Sequence, residues 1–351
     1  MLCDRISAIP GCWEQLEEAA IRMVCLGGIS AMGFYRDAAV PLARSALRQD
    51  PLLQRLLESY AAKSKNPPTF AALDATASIL RAAEDYLSRM SARLICGLTY
   101  LGEETVTVEY REWLGSVLGS TLAAKIHPPS DFFAAGDNVL RVILDGMDGT
   151  ANFTRGIPLF CSAAAILVDR HPRVAAVFDP IHNIVYSGVL AGPAEMPEHR
   201  AWATAWEVAA GSRADLATLS KGENHLPLSK EAVAVHLTRS NVDKMREFLP
   251  TLESLAIASN AIYAFNTGIP AMCHIARGGL GAYVNNYTNL WDIAAGEVIV
   301  RASGGIVSDF SGEQINYNSP NRICVLAAKA HLHGEIRKLL TEQAKQSAAS
   351  V

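Results

Sequence analysis

The stretch Val142–Phe153, VILDGMDGTANF, holds the pattern that decides the fold of this chain. An apolar run delivers two aspartates, Asp145 and Asp148, and a glycine and a threonine follow directly. The apolar run predicts a buried strand, and carboxylates at the end of a strand often line a ligand site. Taken alone, the same residues also fit an ordinary turn, in which aspartates cap backbone groups and glycine supplies a positive φ. The rest of the chain decides between these two interpretations.

The composition is that of a globular protein with a large core. Among 351 residues, 50% are apolar and 19% are charged, enough for one large domain or two ordinary ones. The formal net charge of -4 argues against a nucleic-acid partner, which normally requires a basic surface. Apolar runs such as Cys161–Val168 are too short to span a bilayer, so we expect no membrane partner either.

The N-terminus and the cysteines indicate a cytoplasmic protein. The first residues lack the basic head and the apolar stretch of a signal peptide. The seven cysteines are scattered, odd in number and without a C-x-x-C pair, as expected of reduced thiols that fill a core.

The order of the predicted elements indicates a layered fold. Apolar residues at helical spacing run through most of the first ninety or so residues. A strand is predicted from about 94, an irregular stretch with helical parts follows over 105–137, and successive strand patterns over 139–190 indicate an antiparallel sheet. Helices alternate with strands from 232 onward. The chain is thus predicted to be α+β or α/β, with helices and sheets in layers. We expect two halves: 1–200 with the antiparallel sheet and most of the acids, and 201–351 with an α/β arrangement carrying Asp292.

Acidic residues recur where predicted strands end and helices begin. Glu103 and Glu104 end one strand, Asp145 and Asp148 end another, and Asp292 stands at the predicted start of a helix. Carboxylates that converge at such points cannot all stay ionised without cations. Because hard oxygen ligands in this number suit Mg²⁺ better than zinc or copper, the pattern favours a magnesium site. The plainer interpretation of Asp292 is a helix N-cap.

The Gly149-Thr150 step adds an anion-binding turn to these acids. A glycine turn can expose successive backbone N–H groups, and such a nest binds a phosphate oxygen. Metal ligands beside a phosphate-binding turn are the apparatus for hydrolysing a phosphate ester.

Together the motifs resemble those of the inositol monophosphatase family, the Mg²⁺-dependent, lithium-sensitive sugar phosphatases. DGMDGTANF at 145–153 is similar to the family's D-P-[IL]-D-G-T-x-N-F, and LGEET at 101–105 is similar to its G-E-E. WDIAAGEVIVRASGG at 291–305 resembles its W-D-x-A-A-G with a following G-G. KSKNPPTFAALD at 63–74 fits the family's spacing of a lysine and an aspartate. The order and rough distances agree over about 60–330, which makes the resemblance specific.

This resemblance implies an αβαβα sandwich and a site for two or three Mg²⁺ ions. The expected metal ligands are Glu103, Asp145, the backbone carbonyl of Met147, Asp148 and Asp292. Thr150 together with Glu103 is expected to orient and help deprotonate the attacking water, and the N–H groups of Gly149 and Thr150 to hold the phosphate. Asp74 matches a position that assists a weakly held metal and its water in several members. By the same resemblance, the residues that surround the metal ligands without binding the ions are Glu104, Lys63 and Trp291.

Departures from the family pattern affect the expected substrate. Gly146 stands in place of the usual proline and Met147 in place of isoleucine or leucine, which predicts a looser turn but keeps the carbonyl ligand. The substrate segment G-[ST]-A-A reads NTGI at 266–269. Asn285 is the predicted substrate residue, at the position where inositol phosphatases offer a glutamate to the sugar. The metal chemistry is therefore expected to be kept, while the substrate need not be inositol.

The predicted function is a Mg²⁺-dependent phosphomonoesterase that hydrolyses a small polyol or sugar phosphate with a metal-activated water. By resemblance, the enzyme is lithium-sensitive and homodimeric, and its partner is a small phosphorylated metabolite. Two enzyme alternatives stay open, activity on fructose 1,6-bisphosphate or on a 3′-phosphonucleotide. An alternative of another class also stays open, a family member that has lost turnover and serves as a binding or regulatory protein.

Overall fold

Two stacked β-sheets and three layers of helices make up the fold. The computed structural model describes residues 1–39, 67–191, 201–216, 225–237 and 242–349. Helices and strands follow one another largely as the apolar pattern predicts, so the expected layered α/β architecture is confirmed.

Helices open and close the described chain. None of those within the described ranges is both long and apolar enough to cross a membrane. α3 begins at two prolines, which the first turn of a helix tolerates because its N–H groups need no intrahelical partner. The helices described are α1 (Leu2–Ser7), α2 (Cys12–Ala39), α3 (Pro67–Leu94), α4 (Val108–Leu118), α5 (Ser120–Ala123), α6 (Pro129–Ala134), α7 (Thr150–Thr154), α8 (Val242–Ala258), α9 (Ile269–Ala276), α10 (Ala294–Ala302) and α11 (Ala330–Ala349).

The first sheet contains seven strands in chain order. Its strands are β1 (Gly97–Gly102), β2 (Val139–Asp148), β3 (Cys161–Val168), β4 (His171–Asp179), β5 (Ile184–Leu190), β6 (Ala201–Glu207) and β7 (Ser212–Asp215). β1 and β2 are parallel, and the other neighbours are antiparallel. A parallel pair requires a crossover, and the short helices α4, α5 and α6 lie in that connection.

The second sheet contains five strands in the order β11-β12-β10-β8-β9. Its strands are β8 (Ala232–Val235), β9 (Ala261–Ala264), β10 (Ala282–Thr288), β11 (Ile306–Ser308) and β12 (Ile323–Ala328). β8 is parallel to both of its neighbours, whereas β12 is antiparallel to β10 and to β11.

Three of the four hydrophobic clusters among the described residues lie between the layers. The first lies between α2, α3 and the first sheet, and includes Leu16, Leu80 and Val142. The second lies around α9 and α10, between the two sheets, and includes Met272 and Val298. The third lies between the second sheet and the outer helices α8 and α11. This order of helix, sheet, helix, sheet and helix is the predicted αβαβα sandwich.

β2 is buried along nearly its whole length because helices cover both of its faces. Val142 and Leu144 face the core beneath α2 and α3, and Ile143 faces the middle layer. A strand covered on both faces is apolar at successive positions, which explains the continuous run at the start of VILDGMD. The pairing of β2 with β3 shifts register between Asp145 and Asp148, an irregularity of the kind that re-aims side chains.

The first sheet extends beyond the midpoint of the chain. β6 and β7 complete it with residues that the sequence assigns to the second half, 201–351. The second sheet starts with β8, so the chain passes from one sheet to the other between Asp215 and Ala232. The division into two domains at residue 200 stays a prediction.

Candidate metal centre

Three carboxylates gather where β1 and β2 end. Glu103 and Glu104 lie in a single 3₁₀ turn directly after β1, and Asp145 lies near the end of β2. The parallel register pairs Gly102 with Leu144, which brings this turn beside Asp145. One carboxylate oxygen from each of the three acids lies within 4.8 Å of the other two. In the part of the chain that the structure describes, no other group of three or more Asp, Glu, His or Cys side chains is as close.

Asp145 offers one buried oxygen that has no hydrogen-bond donor. Its Oδ1 accepts a hydrogen bond of 2.8 Å from the backbone N–H of Met147. Its Oδ2 is buried and has no partner among the described residues. A buried anionic oxygen without a partner is unfavourable, and a bound cation compensates it. The donor set therefore fits a metal ion at this oxygen.

The turn after β2 places a carbonyl, a hydroxyl and a helix start beside the acids. The carbonyl oxygen of Met147 accepts a hydrogen bond of 2.9 Å from the Thr150 hydroxyl and keeps a second lone pair. Gly149 has a φ of 96°, and a Cβ there would lie 2.8 Å from the carbonyl oxygen of Leu159. Only glycine suits a position that is both left-handed and crowded. Because α7 starts at Thr150, its first N–H groups lack intrahelical partners and suit an anion.

Asp148 lies at the end of β2 and Asp292 in the turn before α10, and the charge of Asp292 acts on Asp148. The backbone N–H of Ile269, at the start of α9, donates a hydrogen bond of 2.7 Å to Oδ2 of Asp148. Oδ2 of Asp292 accepts hydrogen bonds from the Thr288 hydroxyl at 3.1 Å and from the backbone N–H of Asn289 at 3.0 Å. These donors fix the orientation of both carboxylates.

The N-cap interpretation of Asp292 is wrong. α10 begins at Ala294, and Ile293 occupies the capping position without a side-chain cap. Asp292 instead bonds back to Thr288 and Asn289, so its carboxylate belongs to the turn that precedes the helix.

The pKa values of the five acids are raised, and loss of contact with water is the largest cause for each of Glu103, Glu104, Asp145, Asp148 and Asp292. For Glu103 and Asp145, the charges of nearby acids add to the rise in pKa. The pKa of Asp148 rises to about 7, through burial first and then through the charge of Asp292. Ionised carboxylates held this close repel one another, and cations relieve the repulsion.

Glu104 is buried and held more firmly than the sequence indicates. The Thr76 hydroxyl of α3 donates a hydrogen bond of 2.8 Å to its Oε2, and the backbone N–H of Gly146 donates to the same carboxylate. The resemblance places Glu104 behind the metal ligands. In the structure, one of its carboxylate oxygens lies within 4.8 Å of carboxylate oxygens of Glu103 and Asp145. Glu104 is therefore a further candidate ligand.

Gly146 lies at a close approach between strand and helix rather than in a loose turn. It sits inside β2, where a Cβ would lie 2.4 Å from the Thr76 hydroxyl oxygen and 2.7 Å from the Ala72 carbonyl oxygen. The Ser162 hydroxyl of β3 donates a hydrogen bond of 2.6 Å to its carbonyl. The expectation of a looser turn at this position is therefore wrong, because α3 packs directly against the glycine backbone.

Three further predicted residues lie in different surroundings. Asp74 sits on α3, where the Ser30 hydroxyl of α2 donates a hydrogen bond to it, and it is not part of the group of three acids. The indole N–H of Trp291 is buried and has no hydrogen-bond partner among the described residues. Lys63 lies outside the described residues.

Asn285 is buried in β10, and both ends of its amide are bonded within the chain. Its Nδ2 donates a hydrogen bond of 3.1 Å to the Tyr283 hydroxyl. Its Oδ1 accepts a hydrogen bond of 3.0 Å from the backbone N–H of Tyr287. The contact between Asn285 and a substrate stays a prediction, and it would require these bonds to be exchanged.

Comparison with known sequences decides the family. The sequence profile described as "Inositol monophosphatase family" matches residues 56–347, which include both sheets and all five acids. The chain belongs to the inositol monophosphatase family. The family resemblance of the three motifs is thereby confirmed.

Individual members of the inositol monophosphatase family are distant from this chain. "Nus factor SuhB" from Pasteurella multocida is 28% identical over 176 residues, 50% of this chain and 59% of that protein. "Inositol monophosphatase 3" from Solanum lycopersicum is 25% identical over 201 residues, 57% of this chain and 67% of that protein. The chain spans less than two thirds of the length of the SuhB relatives that it matches.

Solved inositol monophosphatase structures share the fold. The inositol monophosphatase from Zymomonas mobilis aligns with a TM-score of 0.60 and 18% identity, over 94% of this chain and 98% of that chain. The inositol monophosphatase from Anabaena aligns with a TM-score of 0.59 and 16% identity, over 94% of this chain and 96% of that chain. At these identities, the likeness concerns the fold alone.

Proposed function

We propose that this family member is a Mg²⁺-dependent phosphomonoesterase that hydrolyses a small polyol or sugar phosphate. The observation that carries the proposal is the buried Oδ2 of Asp145, which has no donor among the described residues and lies in one group with Glu103 and Glu104. Buried acids with raised pKa values weaken the fold unless they serve a ligand, and such groups cluster at functional sites. Membership in the inositol monophosphatase family supports the same activity.

The metal ions would be held entirely by oxygen atoms. The residues that would hold two or three Mg²⁺ ions are Glu103, Asp145, Asp148, Asp292 and the carbonyl of Met147, with Glu104 as a further candidate. Carboxylate and carbonyl oxygens are the ligands that Mg²⁺ prefers. When bound, the ions supply positive charge that activates water and stabilises the phosphate oxygens during displacement.

The turn after β2 supplies the groups for the phosphate and the water. The N–H groups of Gly149 and Thr150 would receive the phosphate oxygens. The Thr150 hydroxyl, already oriented by its bond to Met147, would position the attacking water. Glu103 lies at this end of the sheet, and its raised pKa makes its carboxylate a stronger base for the proton of that water.

The test of the proposal is release of inorganic phosphate by the full chain. The panel contains inositol and sugar monophosphates, fructose 1,6-bisphosphate and a 3′-phosphonucleotide, each with Mg²⁺, with and without lithium. We expect Mg²⁺-dependent release that lithium inhibits. If well-folded protein releases phosphate from none of these esters, the enzyme proposal is wrong.

Asp148→Asn tests the metal assignment. An asparagine oxygen still accepts the N–H of Ile269, so the fold should persist while a metal ligand is lost. We expect phosphate release to fall by at least a hundredfold. The matched control is Asp243→Asn on α8, whose side chain is 86% exposed and should leave the rate unchanged. Asp148→Asn protein with wild-type activity would refute the assignment.

The names of relatives favour a second candidate function of another class. Proteins named "Nus factor SuhB" from three bacteria match this chain at 26–28% identity. In this candidate function the chain serves as a binding or regulatory protein without turnover. Folded protein that binds Mg²⁺ but hydrolyses no ester in the panel would favour this second function over the first.

By resemblance to the family, we also propose a cytoplasmic homodimer that takes a small phosphorylated metabolite as its partner. Sedimentation velocity of the full chain at micromolar concentration tests the dimer, and a single monomeric species contradicts it. Fractionation of the source cells tests the compartment.

A further inference from the structure

One end of the second sheet places a histidine and an arginine close in register to the strand position that holds Asp292. β8 runs parallel to β10, and β12 runs antiparallel to β10 with Ile323 opposite Thr288. The carboxyl ends of β8 and β10 and the amino end of β12 therefore lie at the same end of this sheet. His236 follows β8 directly, and Arg322 directly precedes β12.

Asp292 is held at this same end of the sheet. The Thr288 hydroxyl donates a hydrogen bond of 3.1 Å to Asp292. Since Ile323 pairs with Thr288, Arg322 stands one residue away from the strand position that anchors Asp292. Burial and neighbouring acids raise the pKa of Glu103, and the positive charge of Arg322 opposes that rise. The strand register thus places Arg322 at the same end of the sheet as Asp292.

Arg322 lies on an aromatic ring, and no described carboxylate is within salt-bridge distance of it. Its guanidinium carbon is 4.7 Å from the centroid of the Tyr287 ring. The side chain is exposed, and among the described residues no carboxylate forms a salt bridge with it. An arginine stacked on a ring keeps the N–H groups at its edge available for an anion.

His236 adds a second donor at this end of the sheet. Its ring is half-buried, and its backbone N–H donates a hydrogen bond of 3.4 Å to the Val284 carbonyl of β10. Burial lowers the pKa of His236, while the charge of Asp292 raises it and that of Arg322 lowers it. A ring nitrogen of the imidazole can donate a hydrogen bond to an anion at this end of the sheet.

We propose that Arg322 and His236 form a subsite for a second phosphate group, so that the substrate of this enzyme is a bisphosphate. The inference rests on the proposed function, which assigns the phosphate that is hydrolysed to the turn at Gly149–Thr150. An uncharged polyol ring carries no anion that could pair with the Arg322 guanidinium. A phosphate group, in contrast, accepts two hydrogen bonds from a guanidinium. Asn285, with its amide bonded within the chain, gives no carboxylate to an inositol ring.

The test uses matched pairs of esters that differ only in the second phosphate. Fructose 1-phosphate is compared with fructose 1,6-bisphosphate, and adenosine 3′-phosphate with adenosine 3′,5′-bisphosphate. For one of the pairs, the wild-type protein should hydrolyse the bisphosphate with a kcat/KM about tenfold or more above the monophosphate, a factor typical of one added charge-assisted contact. The pair that shows this ratio identifies a sugar or a nucleoside as the carrier of the two phosphates.

Variants of Arg322 test the subsite itself. Arg322→Gln should lower the ratio of the two kcat/KM values by about tenfold, through a higher KM for the bisphosphate, and Arg322→Lys should restore part of it. His236→Ala should shift the ratio in the same direction by a smaller factor. Arg337→Gln removes the same charge from an exposed position on α11 and should leave the ratio unchanged. Thermal unfolding verifies that each variant folds.

The outcomes separate the subsite from the proposed function. A wild-type ratio near one for both pairs overturns the subsite, and so does an Arg322→Gln ratio equal to that of wild type. In both cases the monophosphates are still hydrolysed, so the proposed function stands. If no ester is hydrolysed, the proposed function fails, and calorimetric binding of the two bisphosphates to wild type and Arg322→Gln decides the subsite: equal affinities overturn it.

Discussion

The hydroxyl of Thr76 donates a hydrogen bond of 2.8 Å to Oε2 of Glu104, which ties α3 to the metal centre. Glu104 is buried, and the backbone N–H of Gly146 is its other neighbouring donor from β2. A helix of the outer layer thus sets the orientation of an acid at the end of the first sheet.

Thr76→Val removes this hydrogen bond with little change in volume. Because the partners that orient metal ligands typically contribute a factor of roughly 10–100 to affinity or activity, we expect Mg²⁺ affinity and phosphate release to fall by about tenfold. Titration calorimetry and initial rates measure the two effects. Thr76→Ser, which keeps the hydroxyl, should retain most of both, and Thr341→Val on α11 serves as the control. Equal Mg²⁺ affinity in Thr76→Val and wild type would show that Glu104 does not depend on this bond.

Gly146→Ala tests the close packing of β2 on α3. The added Cβ would lie 2.4 Å from the Thr76 oxygen and 2.7 Å from the Ala72 carbonyl oxygen. Overpacking of this kind typically lowers the free energy of unfolding by about 1–3 kcal/mol. Gly146→Pro, which introduces the residue usual in the family, also removes the N–H beside Glu104 and should cost more.

Urea denaturation measures both Gly146 variants against Gly136→Ala, where a Cβ meets nothing within 4 Å. The control should stay within about 0.5 kcal/mol of wild type. Gly146→Pro protein with wild-type stability and wild-type Mg²⁺ affinity would contradict the packing described for this position.

The stability of the metal-free protein should fall as pH rises. The fold raises the pKa of Asp148 from 3.8 to about 7, so between these values the folded chain holds a proton that the unfolded chain has lost. The raised pKa of Asp148 therefore contributes fully to the free energy of unfolding below about pH 4, and this contribution is lost as pH rises through about 7. Urea midpoints in EDTA at constant ionic strength measure the effect. Asp148→Asn should flatten the dependence in this window, and an unchanged slope in the variant would contradict the shift.

Binding of Mg²⁺ should release protons. Because the pKa of Asp148 is about 7 and those of the other four acids are also raised, the metal-free site holds protons near neutral pH that cations displace. Apparent Mg²⁺ affinity should therefore drop as pH falls below 7. Calorimetry in buffers of different ionisation enthalpy at pH 6.5 counts the protons. A heat of binding that is the same in all buffers would contradict this prediction.

Much of the fold follows from local patterns in the sequence. The continuous apolar run before Asp145 predicts a doubly covered strand, and the structure places β2 between helices on both faces. The convergence of the acids was also predictable, because carboxylates at strand ends often line a ligand site. The parallel pairing of β1 with β2, which brings Glu103 and Glu104 beside Asp145, did not follow from the sequence pattern, which indicated an antiparallel sheet. The family resemblance then supplied the αβαβα order, which no single pattern contains.

The surroundings of the acids could not be predicted in the same way. Thr76 and Ser30 are ordinary helix residues in the sequence, and only the packing of α2 and α3 shows that they bond to Glu104 and Asp74. The donor to Asp148 is the backbone N–H of Ile269, which leaves no side-chain signal. The prediction for Gly146 was wrong because glycine occurs both in loose turns and at close contacts. The contact residue, Thr76, lies about 70 residues earlier in the chain, so the local sequence does not show the contact.

The central claim is that the carboxylates at the ends of β1 and β2 hold Mg²⁺ for the hydrolysis of a phosphate ester. The most direct measurement is phosphate release from the best ester of the panel by wild type and by Asp145→Asn, each in Mg²⁺ and in EDTA. We predict release by wild type in Mg²⁺ only, and none by folded Asp145→Asn in either condition. Release by Asp145→Asn at the wild-type rate, or wild-type release that persists in EDTA, would contradict the claim.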